Sequence, residues 1–357
     1  DEWFHKGFNE WEFCRTARKL FPDHKVPIEP LFGYIDESKP ENVEKEIALA
    51  ADAGITVFMY DWYWYDGQMT MQEALEQGFL KARNRDRLKF CLMWCYHDRS
   101  DPFRTDPRKP LRMLMPLART EEEFLDCIRY ATKKFFGQPN HWTRDGKPFF
   151  SIYNAPAFMK DRGGVTGTRQ ALDKAREIAR AAGFAGICFQ AMGPSGLKGA
   201  EELVAAGFDV LGDYGLSQGL VPEACVARKN GTIFYDYAAT CPQAHLKRWM
   251  EIRRASAPYI PGVSAGRDAS PRCRLDEPFP WQTITYPYDG IATNNTPEAF
   301  GQILKMARET TLADPKKPAA VLIYGWNEYT EGGYIAPTRL NGDGHLRAVE
   351  KVFGKCE

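Results

Sequence analysis

The feature that most constrains this chain is an alternation. Short apolar runs of strand length recur, and stretches with apolar residues at helical spacing follow them. The strand-like runs fall at residues 26–34, 55–60, 88–96, 148–153, 186–190, 209–212, 259–263 and 320–324. In the first, Pro27 and Pro30 confine regular pairing to its later part. The helical stretches fall at 40–53, 71–85, 121–136, 169–182, 200–206, 243–255, 297–310 and 344–353. The first of these opens on Pro40, carries Val43, Ile47, Ala50 and Ala51 on one face, and stops at Gly54. Eight strand-then-helix units predict a (β/α)8 TIM barrel. A doubly wound sheet needs fewer strands, and no Gly-rich dinucleotide fingerprint follows the first run. No linker or low-complexity stretch divides the chain. The expectation is one barrel domain over residues 1–357, with an N-terminal extension over about residues 1–25. Long βα segments at 96–119, 215–237 and 264–295 would build a cleft on the catalytic face.

A barrel carries its chemistry at the C-terminal ends of its strands. Those ends read Tyr34, then Tyr60-Asp61-Trp62-Tyr63-Trp64, then Trp94 and His97, then Tyr153-Asn154, Gln190, Asp213, Arg267-Asp268 and Trp326-Asn327-Glu328. Every one is polar or aromatic. On this basis Tyr34, Tyr60, Asp61, Trp62, Trp64, Trp94, His97, Tyr153, Asn154, Gln190, Asp213, Arg267, Asp268, Trp326 and Asn327 are candidate substrate-binding residues. The tryptophans and Tyr60 would stack on sugar rings. The competing reading is that a large core also uses aromatics, and that a loop histidine often only satisfies itself.

The sharpest local signal is the run 319–333, which begins as a buried strand and ends in Trp326-Asn327-Glu328-Tyr329-Thr330-Glu331-Gly332-Gly333. It delivers two carboxyls, Glu328 and Glu331, to one strand tip. Carboxyls this close shift each other's proton affinity, so one serves as acid while the other stays ionised. Paired carboxyls beside aromatic faces are the apparatus of glycoside cleavage.

Bulk composition removes other classes. Lys+Arg and Asp+Glu both number 47, so the net charge is zero, and nothing steers the chain to nucleic acid or an anionic membrane. No apolar run reaches the roughly 20 residues of a membrane span. The six His contain no H-E-x-x-H and no close pair, so neither a catalytic metal nor another cofactor is expected. The nine Cys lack metal spacing and read as small buried hydrophobes. The chain opens on Asp1 with no signal peptide visible, so the location stays open, with a periplasmic or secreted one expected if a signal was trimmed. The expected partner is an oligosaccharide or polysaccharide; the oligomeric state stays open.

The stretches 30–34, 50–64 and 326–332, with Gly146-Lys147-Pro148-Phe149-Phe150-Ser151-Ile152-Tyr153 and Thr296-Pro297-Glu298-Ala299-Phe300, resemble the clan of glycoside hydrolase families 71 and 99. The likeness is strongest to the WbsX-like relatives of family 99 found in bacterial polysaccharide systems. It implies a (β/α)8 barrel and retaining, metal-free hydrolysis of an α-linked glycan, mannoside first, in a hydrolase related to endo-α-mannosidases. It places Glu328 as the base that deprotonates the sugar's own 2-hydroxyl, giving a 1,2-anhydro sugar. It places Glu331 as the acid. The stretch 266–272 departs from the Trp-Asp-Asn pattern of WbsX-like proteins. Sugar transfer, or glycan binding without catalysis, are the alternative functions.

Overall fold

The computed structural model describes residues 9–101, 110–215, 225–229, 232–273, 286–288, 290–318 and 320–354. Ala319 and parts of the three long βα segments lie outside them.

Eight segments make the parallel framework: β1 (Val57–Tyr65), β2 (Lys89–Trp94), β3 (Lys147–Ile152), β4 (Cys188–Met192), β5 (Val210–Gly212), β6 (Tyr259–Ile260), β7 (Gly262–Ser264) and β8 (Leu322–Tyr324). Neighbours in sequence are neighbours in space, from β1 through β6. The registers place Asp61 beside Met93, Met93 beside Ser151, and Ser151 beside Gln190. The predicted seventh strand changes partner at Pro261: β6 pairs with β5, while β7 pairs with β8. Pro261 has no N–H for the ladder, but its carbonyl accepts from the Leu322 amide at 3.0 Å.

Alternate residues of a strand face opposite sides, and here one side fills the barrel. Cys91, Phe149, Cys188, Val210 and Ile260 form one apolar cluster, against which Val57, Met59, Ala320 and Leu322 pack. Residues of both β1 and β8 thus pack against one interior cluster. No ladder joins these two strands among the described residues. The architecture is the expected (β/α)8 barrel.

The helices cover the outside. The helix α1 (Trp11–Thr16) precedes the barrel, α2 (Pro40–Asp52) leads into β1, and α3 (Glu121–Ala131) follows β2. In α3 the Thr120 hydroxyl caps the first turn, accepting from the Glu123 amide at 3.1 Å. Phe124, Cys127, Ile128 and Ala131 form its buried face. Later come α4 (Ala155–Asp161), α5 (Val165–Ala181), α6 (Gly196–Ala205), α7 (Tyr237–Ile252), α8 (Pro297–Leu312) and α9 (Gly344–Phe353).

Two elements differ from expectation. Residues 26–34 form no ladder strand; Pro30 makes only an isolated bridge to Thr338. Pro27 and Pro30 lack amide donors, and the amides of Ile28 and Leu31 turn instead to the carbonyls of Cys14 and Pro337. The helix expected at 71–85 breaks into a π turn, Ala74–Gly78, and 3₁₀ turns at Phe79–Lys81 and Arg85–Arg87, with Gly78 a weak helix former in its middle. All seven cysteines among the described residues that can be assigned are free and buried, as small hydrophobes should be.

Candidate active site

Strand β8 ends at Tyr324, and the chain then folds into a very short hairpin. Asn327 and Glu328 pair with Tyr334 and Gly333, around a 3₁₀ turn at Tyr329–Glu331. Gly332 closes the turn at φ +70°, and a Cβ there would lie 2.5 Å from the Asp268 amide nitrogen. A Cβ on Gly333 would strike the Tyr324 ring at 2.3 Å. The two glycines thus let Tyr324 and the 267–268 backbone close in on the hairpin. The Asp268 amide donates to the Glu331 carbonyl at 2.7 Å. Further anchors come from α2 and the segment before it: the Trp326 indole donates to Glu46 at 3.2 Å, and the Asn327 amide to Glu37 at 2.6 Å.

The two carboxyls on this hairpin have unequal surroundings. Both oxygens of Glu331 are occupied. Oε2 accepts from Arg267 at 2.5 Å and from the Tyr324 hydroxyl at 2.5 Å. Oε1 accepts from Arg272 and, at 2.8 Å, from the Tyr286 hydroxyl. Glu328 accepts from Arg272 alone among the described residues, at 2.7 Å on Oε1. Arg272 is the hub: it also reaches Thr330 at 2.7 Å, Glu10 at 2.5 Å and the Tyr286 hydroxyl.

Charge state follows. Burial favours the neutral form of Glu331, but the charges of Arg272 and Arg267, then the Tyr324 and Tyr286 hydroxyls, outweigh it and hold the carboxyl down to about 2. Burial raises Glu328 well above the ordinary carboxylate range; Arg272 opposes this, and the charge of Glu331 adds to it. The surroundings therefore favour the proton on Glu328 and the charge on Glu331, because Glu331 has two arginines beside it.

Asp61 joins this group. It lies two residues beyond Met59 on the interior-facing side of β1 and accepts from the Tyr214 hydroxyl on Oδ2. Burial pushes its carboxyl up to about 6; the Tyr214 hydrogen bond lowers it and Glu331 raises it. Tyr214 packs 4.7 Å from Tyr324 and 5.0 Å from Tyr153, ring centre to ring centre, and His97 lies 5.8 Å from Tyr153. Asp61, Tyr153, His97, Arg267, Glu328 and Glu331 thus share the barrel mouth. Asp268 fixes its edge, through a 2.6 Å contact with His24.

Other expected site residues do not come here. Trp62, Trp64 and Trp94 are buried in the core between barrel and helices, where Trp62 packs on Tyr130, Phe135 and Phe150. They sit one residue out of phase with Met59 and Asp61, so they point outward. Tyr60 shares that side and packs against Phe79. Asp213 is buried in a pair with Arg248 at 2.9 Å and accepts from Tyr259. Gln190 is fully buried within the barrel, and Asn154 is exposed, its carbonyl capping α4. Tyr34 donates to the Ile28 carbonyl at 3.1 Å and lies beneath Arg15. Trp326 and Asn327 flank Glu328 but turn to Glu46 and Glu37.

Five residues at the mouth were not expected: Glu10, Tyr214, Arg272, Tyr286 and Tyr324. Tyr214 and Tyr324 stand at strand ends and were within reach of the strand-end argument. Arg272 lay in the stretch that departs from the family pattern. Glu10 arrives by tertiary packing of α1, which leaves no local signal.

The family model described as Glycosyltransferase WbsX matches residues 1–349. The chain belongs to the WbsX family. A 95-residue part, 26% of this WbsX-family chain, is 30% identical to the uncharacterized protein WxcX of two strains of Xanthomonas campestris pv. campestris, and that match spans 13% of WxcX. Similar solved structures include the GH99 endo-alpha-mannosidase from Bacteroides thetaiotaomicron, with a TM-score of 0.58 at 14% identity, over 91% of this chain and 82% of the other. Its complex with bis-tris propane gives 0.59 at 15%, over 91% and 86%. A glycoside hydrolase-like protein gives 0.63 at 16%, over 91% and 89%. These likenesses establish the barrel fold.

Proposed function

We propose that the chain is a glycoside hydrolase that cleaves an α-linked glycan, α-mannoside first, with retention of anomeric configuration. One observation carries this reading: two carboxyls stand three residues apart at the mouth of a barrel, one with four donors from two arginines and two tyrosines, the other with one donor, from Arg272, among the described residues. Environments that push two carboxyls to opposite charge states define an acid and an anion at one site. Glu328, with one of its oxygens unengaged by the described protein, donates its proton to the leaving glycosidic oxygen. Glu331 stays ionised and holds Arg267 and Arg272 in place. Both carboxyls come from one hairpin and share one side of the sugar. The nucleophile on the other side is then the sugar's own 2-hydroxyl, once a carboxylate has taken its proton. The family of the chain and the endo-alpha-mannosidase fold neighbours support a glycan substrate.

The family description favours a second reading, in which the glycosyl unit passes to a sugar hydroxyl instead of water. Incubation with defined α-glycans, followed by product sizing and NMR of the first-formed anomer, tests both. Shorter products with retained configuration are expected. Longer products made at the expense of shorter ones favour transfer, and inverted product removes the internal-nucleophile route.

A further inference from the structure

We infer that His24 is a positioning residue for the hairpin carboxyls, so that the stretch ahead of the barrel is a working part of the site. The effect on turnover rests on the hydrolase reading above; the geometry of the contact does not. His24 touches no reacting atom and acts through Asp268.

The two ring nitrogens of this buried histidine have different tasks. The Leu20 amide lies 3.1 Å from Nδ1, and a backbone N–H can only donate, so Nδ1 presents its lone pair. The proton of the neutral ring then sits on Nε2, which donates to Asp268 Oδ2 at 2.6 Å. A donor bond to a carboxylate is short and strong, and it sets the direction of both partners. Phe21 stacks on the imidazole with ring centres 4.5 Å apart and an interplanar angle of 15°, so the plane of the ring is held as well.

Asp268 passes this constraint on. Its Oδ1 accepts from the Ser270 amide at 3.0 Å, and its own amide donates to the Glu331 carbonyl at 2.7 Å. Arg267, the residue before it, reaches Glu331 at 2.5 Å, and Arg272, four residues after it, bridges Glu331 and Glu328. Glu10, from the same leading stretch as His24, holds Arg272 at 2.5 Å. Glu10 and His24 therefore grip the 267–272 segment at two points, and that segment supplies the arginines on which both hairpin carboxyls rest. Outer contacts of this kind orient the groups that act, and a small misplacement of those groups is costly in rate.

The test compares His24→Asn with His24→Gln. The Asn amide stands where Nδ1 stands, so its oxygen can keep the Leu20 bond while Asp268 loses its donor. The Gln amide extends to where Nε2 stands and can donate to Asp268. On an alkyl α-glycoside His24→Asn should lose about 10–100-fold in kcat at nearly unchanged KM, and His24→Gln should recover most of it. In carbon-13 spectra the Glu331 carboxyl signal should shift in His24→Asn and return in His24→Gln. Long-range proton–nitrogen spectra of the wild type should find the His24 proton on Nε2. A proton on Nδ1, a wild-type kcat in His24→Asn, or a Gln variant no better than the Asn variant overturns the assignment while the hydrolase reading stands. Equal losses of Tm with kcat intact would make His24 a structural residue only and overturn it too. A wild type inactive on all α-glycans overturns the hydrolase reading, and the Glu331 signal then decides the role of His24 by itself.

Discussion

Two regions of this barrel look equally suited to a sugar site when read as sequence, and they have opposite fates. The β1–β2 wall supplies Trp62, Trp64 and Trp94, the most obvious stacking surfaces in the chain, and all three are buried among helix residues. The tip of β8 supplies one carboxyl pair, and it stands at the mouth with Arg267, Arg272 and Asp61. The difference is a matter of phase. On β1, Asp61 faces inward and Trp62 outward, so adjacent residues meet the barrel mouth and the helix-packed core respectively. Closeness to a strand end says little about function until the side of the strand is known.

The largest expected effect sharpens this contrast on the β8 side. Glu328→Gln should cut kcat on an alkyl glycoside by about 10²–10⁴-fold, with little change in Tm. Kinetics and thermal unfolding on the same preparation check it. On the β1–β2 side the balance should invert. Trp62→Ala or Trp94→Ala should cost about 3–5 kcal/mol of stability, the usual cost of emptying a large aromatic site, while calorimetry finds glycan affinity unchanged in the folded fraction. Lost affinity with normal stability would place these rings in the cleft after all.

A further effect separates the two carboxyl environments by pH. Glu331, held down to about 2, contributes stability that is present above the ordinary Glu value and is lost as pH falls toward 2. Glu37 behaves oppositely. Burial raises it to about 7, against the Asn327 hydrogen bond, so its contribution is full at low pH and fades as pH rises toward 7. Denaturant unfolding should show Glu331→Gln flattening the acid side and Glu37→Gln flattening the slope up to neutral pH. The smallest expected effect is none. The proposed chemistry runs on carboxyls and the sugar's own hydroxyl, so EDTA should leave the rate unchanged.

The alternation of strands and helices was legible because periodicity is a local property, and most barrel strands lie within a few residues of their expected bounds. Residues 26–34 misled because apolar content suggested a strand, while two prolines removed the donors a ladder needs. At the site, the carboxyl pair was legible from an apolar strand ending in acids and glycines, although Leu322 and Ile323 are only half-buried. Which carboxyl carries the proton was not. That depends on Arg272 and Arg267, and the Arg272 hub takes in Glu10 at the other end of the chain. Asp213 shows the converse: a strand-end acid that looked functional is consumed by Arg248 and Tyr259.

The central claim is that one hairpin holds two carboxyls in opposite charge states. Carbon-13 NMR of the glutamate carboxyls tests it most directly, with Glu328 and Glu331 assigned from their Gln variants and titrated without substrate. Glu331 should remain ionised into strongly acid solution, while Glu328 keeps its proton well above the range of a free glutamate. A protonated Glu331 beside an ionised Glu328 at neutral pH would contradict the account and restore the opposite roles.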